Sequence, residues 1–143
     1  MSEENKRVVR RILEEHYNRK NAALVGELFA PEVSLHTPDG VLAGLDGASA
    51  LLQAYATAFP DFRLTIDDLV AEGDHVVVRY TFTGTHRGPL ADIPATGRQV
   101  SVANGIGFYR LAAGKVTQVD FAWDKFGLLQ QLGVLAVGNP AST

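Results

Sequence analysis

The chain has 143 residues, of which 46% are hydrophobic and 20% charged, and its formal net charge at pH 7 is −3. These values are typical of one globular domain and exclude a disordered chain, while the absence of cysteine excludes disulfides and thiolate sites. The charge gives no basic footprint for nucleic acid, and no apolar run reaches the ~18 residues of a membrane span. The charged start, Glu3 to Arg7, does not resemble a signal peptide. We therefore expect a cytoplasmic protein that meets a small molecule.

The first third of the chain is mainly helical. Apolar residues at helical spacing predict an amphipathic first helix over residues 3–19. Asn21 is predicted to cap a second, shorter helix, which Pro31 ends. Residues 33–36 alternate as a strand that stops at the turn residues 38–40.

A third helix and a series of strands follow. Asp46 is predicted to cap this helix, which Pro60 breaks. From there apolar residues recur at every second position, and paired turn residues separate the alternating segments. The predicted strands run from Phe62 to the turn at Gly73, then over 75–86, 99–111 and 115–123, before a short closing helix around Leu128.

Helices at the front and long antiparallel strands behind predict an α+β fold with one face of the sheet covered. The interior glycines Gly84, Gly105 and Gly107 are typical of bends or bulges that let a sheet curl. A curled sheet wrapped around three helices forms a cone with an apolar pocket at its mouth. We expect one domain over residues 1–137 and a loose tail over 138–143.

Four segments in order carry a family resemblance: Gly84–Gly88, Ile93–Arg98, Phe108–Arg110 followed by Gly114–Val116, and Trp123–Gly133. With them the chain resembles the SnoaL-like polyketide cyclases of the nuclear transport factor 2-like, or ketosteroid-isomerase-like, superfamily. The resemblance implies a cone-shaped α+β barrel, a pocket without a cofactor, and a homodimer formed through the outer sheet face. It also implies a small hydrophobic ligand.

The chemistry that this family implies is a cofactor-independent aldol ring closure. It requires an acid/base group beside a carbonyl and a donor for the enolate oxygen. The positions at which cyclases keep an aspartate and a histidine fall on Phe121 and Gly107. Asp120 lies one residue away, and on a regular strand it would face outward. The residues predicted to transfer protons are Asp120, His36, Tyr17 and Arg79.

Two related activities are less well matched. Ketosteroid isomerases place an aspartate before a proline on the first strand, whereas here Thr37 precedes Pro38. Epoxide hydrolases of this superfamily need an Asp-Arg-Asp set, in which Arg79 could be the arginine, but Thr81 and Phe121 stand at the acidic positions. An epoxide hydrolase or isomerase therefore remains a second alternative.

A substrate-binding set is also predicted, because alternate residues of the last strand share a face. Its members are Phe121, Trp123, Val119, Asn104, Tyr55 and His86.

Each polar candidate also has a structural interpretation. His36 is equally consistent with a bond to the neighbouring turn, and His86 with packing of the loop over residues 89–94. Asp124 fits a helix N-cap. Arg79 is expected to pair with Asp120 or Asp124, or to lie on the open face.

The histidines show no metal-ligand spacing, so no metal site is predicted. The sequence thus leaves two principal functions open, an acid/base enzyme acting on a hydrophobic carbonyl compound or a non-catalytic binding domain of the same fold.

Overall fold

The structure, a computed structural model, describes residues 2–134. The helices are α1 (Ser2–Arg11), continued by a π-helical segment (Ile12–Tyr17), a 3-10 turn (Ala22–Leu24), α2 (Val25–Leu28), α3 (Gly44–Ala58) and α4 (Lys125–Gln131). The strands are β1 (Phe29–Thr37), β2 (Gly40–Ala43), β3 (Arg63–Glu72), β4 (His75–Thr85), β5 (Gln99–Ala112) and β6 (Lys115–Ala122).

The strands form a 6-stranded sheet in the order β2-β1-β6-β5-β4-β3. β1 runs parallel to β6, and the other neighbours are antiparallel. The predicted α+β class, a curved antiparallel-to-mixed sheet around N-terminal helices, is confirmed. β3 to β6 match the predicted strands closely, whereas the short strand β2 was not predicted.

Three predicted helix signals were wrong in detail. Asp46 does not cap α3, because the helix begins at Gly44 and its N-cap residue Ala43 makes no side-chain bond. Pro31 does not end the second helix but lies within β1. It is tolerated there because the pairing of β1 with β6 shifts register between Phe29 and Ser34. Asn21 is at the N-cap of the 3-10 turn without a side-chain bond.

Two aligned bulges bend the centre of the sheet. Ile66 of β3 pairs with Tyr80 of β4 and Asp68 pairs with Arg79, so Asp67 is an extra residue in β3. On the other side of β4, Ala103 and Asn104 together oppose Thr81, and Asn104 has a left-handed backbone with φ of 62°. Bulges of this kind increase the local twist and bend of a strand. The bend lies beside Gly105 and therefore agrees with the curl that the glycines predicted.

The two faces of the sheet differ sharply. On β5, inward residues such as Val102, Tyr109 and Leu111 are buried, while outward residues such as Ser101, Phe108 and Arg110 are exposed. The inner face packs against α1, the π-helical segment and α3 to form the core. The outer face carries most of the charged residues of the central strands and is open to solvent.

The proposed boundary at residue 137 and the tail over 138–143 lie outside the described residues. No helix within residues 2–134 is long and apolar enough to cross a membrane.

Candidate functional site

The inner sheet face and the helices that pack on it enclose an apolar cavity of about 70 Å³. Its walls come from the π-helical segment, α3, the four strands β3 to β6 and α4. The lining residues are Tyr17, Leu51, Leu52, Tyr55, Phe62, Leu64, Tyr80, Phe82, Val102, Gly105, Phe121, Trp123 and Leu128. None of these side chains is charged, so burial of apolar surface is the main force that this cavity offers to a ligand.

Several buried polar atoms of residues at or beside the cavity lack a hydrogen-bond partner among residues 2–134. The Tyr17 hydroxyl and the Trp123 indole nitrogen are buried and unpartnered within the described residues, and both residues line the cavity. The hydroxyl of Tyr109 is also unpartnered; its ring packs against Phe121, with the ring centroids 5.9 Å apart. A buried polar group without a partner costs about 1–3 kcal/mol. A ligand oxygen that accepts from these groups would remove that penalty.

The cavity tyrosines are neutral donors. Burial raises the pKa of Tyr17 and of Tyr80 above the usual value for a phenol. Burial also raises the pKa of Tyr109 well above that value, and the neighbouring Tyr17 and Tyr80 add to the effect. These hydroxyl groups therefore keep their protons at neutral pH and can donate a hydrogen bond, but they do not act as bases there.

An aromatic cluster fixes one wall of the cavity. The Tyr55 ring on α3 makes edge contacts with Trp123 at 5.7 Å and Phe82 at 6.0 Å between centroids. Phe121 lies 5.8 Å from Trp123 in a tilted arrangement. Such geometries add to the area buried. They hold Tyr55, Phe121 and Trp123 at the cavity, where the sequence predicted them.

The structure places Asp120 and His36 on the outer face of the sheet. β6 is regular at Asp120, which pairs with Phe108 on one side and His36 on the other. His36 Nδ1 lies 3.4 Å from Asp120 Oδ1, and Nε2 lies 2.8 Å from the hydroxyl of Ser34. Both side chains are about half exposed and neither lines the cavity. These two predicted proton-handling residues lie together, but on the face away from the cavity.

Arg79 and Asn104 also lie on the outer face. Nη2 of Arg79 is 2.6 Å from Asp68, and Nη1 is 4.0 Å from Asp67. Of the two alternatives for Arg79, the open face is therefore confirmed and the pairing with Asp120 or Asp124 is wrong, because the β3 bulge brings two aspartates beside the arginine. Nη1 of Arg79 also donates to Asn104 Oδ1 at 3.2 Å. Arg79 thus lies between two carboxylates on the surface and not in the cavity.

Aromatic rings surround or occupy the two positions, Gly107 and Phe121, to which the family resemblance assigns the catalytic residues of a cyclase. A Cβ atom on Gly107 would lie 2.8 Å from Cε1 of Tyr109 and 3.4 Å from Cε1 of Phe121. Phe121 itself lines the cavity. Gly107 therefore has no room for an imidazole without repacking, and Phe121 presents an apolar ring where the resemblance would place a carboxylate.

Two further predicted ligand contacts belong to the core. Val119 is buried beneath the helices but does not line the cavity. His86 is fully buried, and its Nδ1 accepts from the backbone nitrogen of Thr96 at 3.1 Å. His86 thereby fixes the loop between β4 and β5, which agrees with its structural interpretation. Asp124 accepts from the backbone nitrogen of Gly127 at 2.8 Å and caps α4, as the sequence suggested.

Metal binding has no support in the part of the chain that the structure describes, where no group of His, Cys, Asp or Glu could hold an ion.

Several residues at the site were not predicted from the sequence. Tyr80 lines the cavity and Tyr109 supports it. Both lie at buried positions in the alternating pattern of their strands, and this alternation is the sequence feature that could have identified them. Asp39, in the turn before β2, accepts from the Tyr55 hydroxyl at 3.1 Å, and Lys125 pairs with the same carboxylate. No local signal links these residues, because they are far apart along the chain.

Comparison with known proteins places the chain in a family. The sequence model for SnoaL-like polyketide cyclases matches residues 7–132. A comparison with curated proteins gave no match.

Among solved structures, TsrD from Streptomyces laurentii is 34% identical, with 93% of this chain and 97% of that chain covered and a TM-score of 0.83. AclR from Streptomyces galilaeus is 26% identical, with 95% and 100% covered and a TM-score of 0.83. A SnoaL-like polyketide cyclase from Agrobacterium tumefaciens is 24% identical, with 88% and 95% covered and a TM-score of 0.73, and it shows the shared fold. The chain belongs to the SnoaL-like polyketide cyclase family.

Proposed function

We propose that the protein binds a small, hydrophobic carbonyl compound in its cavity and holds the carbonyl oxygen with neutral tyrosine hydroxyl groups. The observation that carries this proposal is the unpartnered hydroxyl of Tyr17, buried in an otherwise apolar wall. Burial of the ligand's apolar surface supplies most of the affinity, at about 25 cal/mol per Å². The hydroxyl group orients the ligand and adds about 0.5–1.5 kcal/mol.

The same geometry favours binding over acid/base chemistry. Ring closure needs a group that removes a proton from carbon as well as a donor for the oxygen. The lining residues include no carboxylate and no imidazole, and Asp120, His36 and Arg79 are on the other face of the sheet. Aldol-type cyclase chemistry is the second candidate function, supported by the family to which the chain belongs.

The test uses the single tryptophan, which lines the cavity, as its reporter. Titration with α-tetralone and with the smaller ketone cyclohexanone should quench Trp123 fluorescence with saturation. Tyr17→Phe should weaken binding roughly three- to tenfold, because one hydrogen bond is lost. Asp120→Asn is the matched outer-face control and should leave the affinity unchanged. If neither ketone gives saturable quenching, the proposed function is wrong.

Chromatography of the same mixtures separates the two candidates. Recovery of unchanged ketone supports a binding protein. Turnover of an added cyclase substrate analogue, lost in Asp120→Asn, would instead support the acid/base enzyme with Asp120, His36 and Arg79 as its residues.

We also propose a homodimer through the outer face of the sheet, which the family resemblance implies. One row of paired residues crosses all the strands on that face: Val70, Val77, Phe108, Asp120, His36 and Val41. Val41, Val70 and Phe108 are 68%, 59% and 44% exposed, an unusual apolar content for a solvent-facing row. Light scattering should give twice the chain mass, and Phe108→Lys should give a monomer; a monomeric native protein would contradict the dimer.

The cytoplasmic location stays a prediction.

A further inference from the structure

The central cavity is too small to admit a ring while its walls stay in place. Its volume is about 70 Å³, whereas an apolar cavity that binds benzene has a volume of about 150 Å³. Protein interiors are closely packed and resist stretching, so the missing space does not arise from small adjustments of every wall. A cyclic ligand therefore enters only if one wall of the cavity moves as a unit.

The walls differ in how firmly the fold holds them. The strands β3 to β6 are paired along their length, and α3 is 15 residues long with five of them buried. By contrast, α4 is 7 residues long and reaches the core through Leu128, which lines the cavity, and through Leu132 at its C-cap. A short element with few buried residues opens at a lower free-energy cost than a paired sheet or a long helix. The wall that moves most easily is therefore α4.

Polar contacts hold the two ends of α4 in different ways. At its start, Asp124 caps the helix and Lys125 pairs with Asp39 in the turn before β2. At its end, Nε2 of Gln131 donates to the carbonyl oxygen of Ser101 at 2.9 Å, and Oε1 accepts from the backbone nitrogen of Ser101 at 2.8 Å. The first turn is thus fixed by a cap and an ion pair, whereas one amide side chain clasps the last turn to β5.

The Gln131 amide takes the place of a neighbouring strand. β6 pairs with β5 from Ile106 to Ala112, and within residues 2–134 no strand lies beside the preceding part of that edge. Ser101 belongs to this part, and the amide satisfies both its backbone N–H and its carbonyl group. Both contacts are exposed, so water can replace the amide when the helix lifts. The clasp can therefore open and close without leaving a buried polar group unpaired.

We propose that α4 is a lid on the cavity. The helix swings about residues 123–124, the clasp between Gln131 and Ser101 releases, and the ligand enters beneath Leu128. The clasp then forms again over the bound ligand. This inference rests on the proposed function, because it concerns the way into the same cavity. It gives α4 a role in the rate of ligand exchange and none in the choice of ligand.

Stopped-flow fluorescence of Trp123 with cyclohexanone measures entry and exit. Gln131→Ala removes the clasp from the closed protein both with and without ligand. The association and dissociation rate constants should therefore each rise roughly five- to hundredfold, the range for two hydrogen bonds, while their ratio stays nearly the same. Loosening of a static wall would instead weaken the affinity through the dissociation rate alone. Gln130→Ala is the matched control, because Gln130 is exposed on the same helix, and it should change neither rate constant.

A covalent bridge tests the lid in the opposite direction. The chain has no cysteine, so Ser101→Cys combined with Gln131→Cys supplies the two thiols of the protein. Before bridging, this double variant lacks the clasp and should exchange ketone as fast as Gln131→Ala. Reaction with a short bismaleimide, confirmed by intact mass, ties α4 to β5. Association should then be at least about tenfold slower than in the native protein, because the lid no longer opens.

The outcomes separate the lid from the proposed function. Acceleration without the clasp and slowing with the bridge support the lid. If the native protein binds ketone but Gln131→Ala leaves the association rate unchanged, or the bridge does not slow it, the lid is overturned and the proposed function stands. If the native protein binds no ketone, the proposed function fails and the lid fails with it.

Discussion

The inner and outer faces of the central strands carry opposite chemistries. Outward from β6 and β1, Asp120 and His36 are ionisable and about half exposed. Inward from the same strands, Phe121 lines an apolar cavity whose polar groups are tyrosine hydroxyls and an indole nitrogen. A single step along β6 separates these environments, because successive strand residues point to opposite faces.

This difference shows why residue type alone does not locate a site. In the single chain, the residues that most resemble acid/base catalysts are in water, where their charges are solvated. The tyrosines that line the cavity, where we propose that a ligand binds, keep their protons at neutral pH. Ligand binding by this fold is therefore expected to depend on shape, apolar area and neutral hydrogen bonds.

The largest expected effect comes from truncating the inner face of β5. Tyr109 is fully buried, whereas its neighbour Arg110 is exposed. Tyr109→Ala should lower the free energy of unfolding by about 3–5 kcal/mol, as for other large aromatic residues in cores. Arg110→Ala should change it by less than about 0.5 kcal/mol. Urea unfolding measures both, and equal effects would contradict the assignment of the two faces.

A smaller effect is expected where the inner face is most tightly packed. A Cβ atom on Gly105 would lie 2.5 Å from the Tyr80 ring, so Gly105→Ala must displace that ring, which also lines the cavity. Overpacking of this kind costs about 1–3 kcal/mol. The same change should weaken α-tetralone binding. Gly26→Ala is the control, because no atom of residues 2–134 lies within 4 Å of the added Cβ, and it should be neutral or slightly stabilising. A neutral Gly105→Ala would show that the wall is looser than described.

Two acids near the end of β6 should differ more modestly. Asp124 caps α4, whose Leu128 lines the cavity, so Asp124→Ala should lower the free energy of unfolding by about 0.5–2 kcal/mol. The side chain of Asp120 makes exposed polar contacts with His36 and Gln118, and such contacts contribute about 0–1 kcal/mol. Thermal unfolding of the two variants tests the order. A larger loss for Asp120→Ala would indicate a structural role for the outer face.

The smallest expected effect is a dependence of stability on mild acid. Burial lowers the pKa of His16 and of His86 below the ordinary value of 6.5, and both are fully buried. Below that pH the unfolded chain binds protons that the folded chain excludes, so the free energy of unfolding should fall as pH drops from about 6.5. Urea unfolding at pH values on either side gives the slope, and a rise towards acid would contradict the burial of these rings.

Periodicity and the family resemblance were sufficient to predict the curl of the sheet, the apolar cavity and the inward placement of Phe121, Trp123 and Tyr55. Alternation also indicated that Asp120 would face outward unless a bulge intervened, and β6 has none at that point. These successes depend on contacts between residues close in sequence, or on a pattern with a fixed period.

The rest depends on contacts between distant segments. Parallel pairing of β1 with β6 brings His36 beside Asp120, and the bulge in β3 brings Asp68 to Arg79. Lys125 meets Asp39 across 86 positions of the chain. Such pairs follow from strand order and register, which a single sequence does not specify.

A crystal structure with α-tetralone bound is the most direct test of the claim that the inner face is the functional one. We predict that the ketone lies in the cavity and packs against Trp123, with its oxygen at hydrogen-bond distance from the Tyr17 hydroxyl. A ketone found instead on the outer face, against His36 and Asp120, would contradict it.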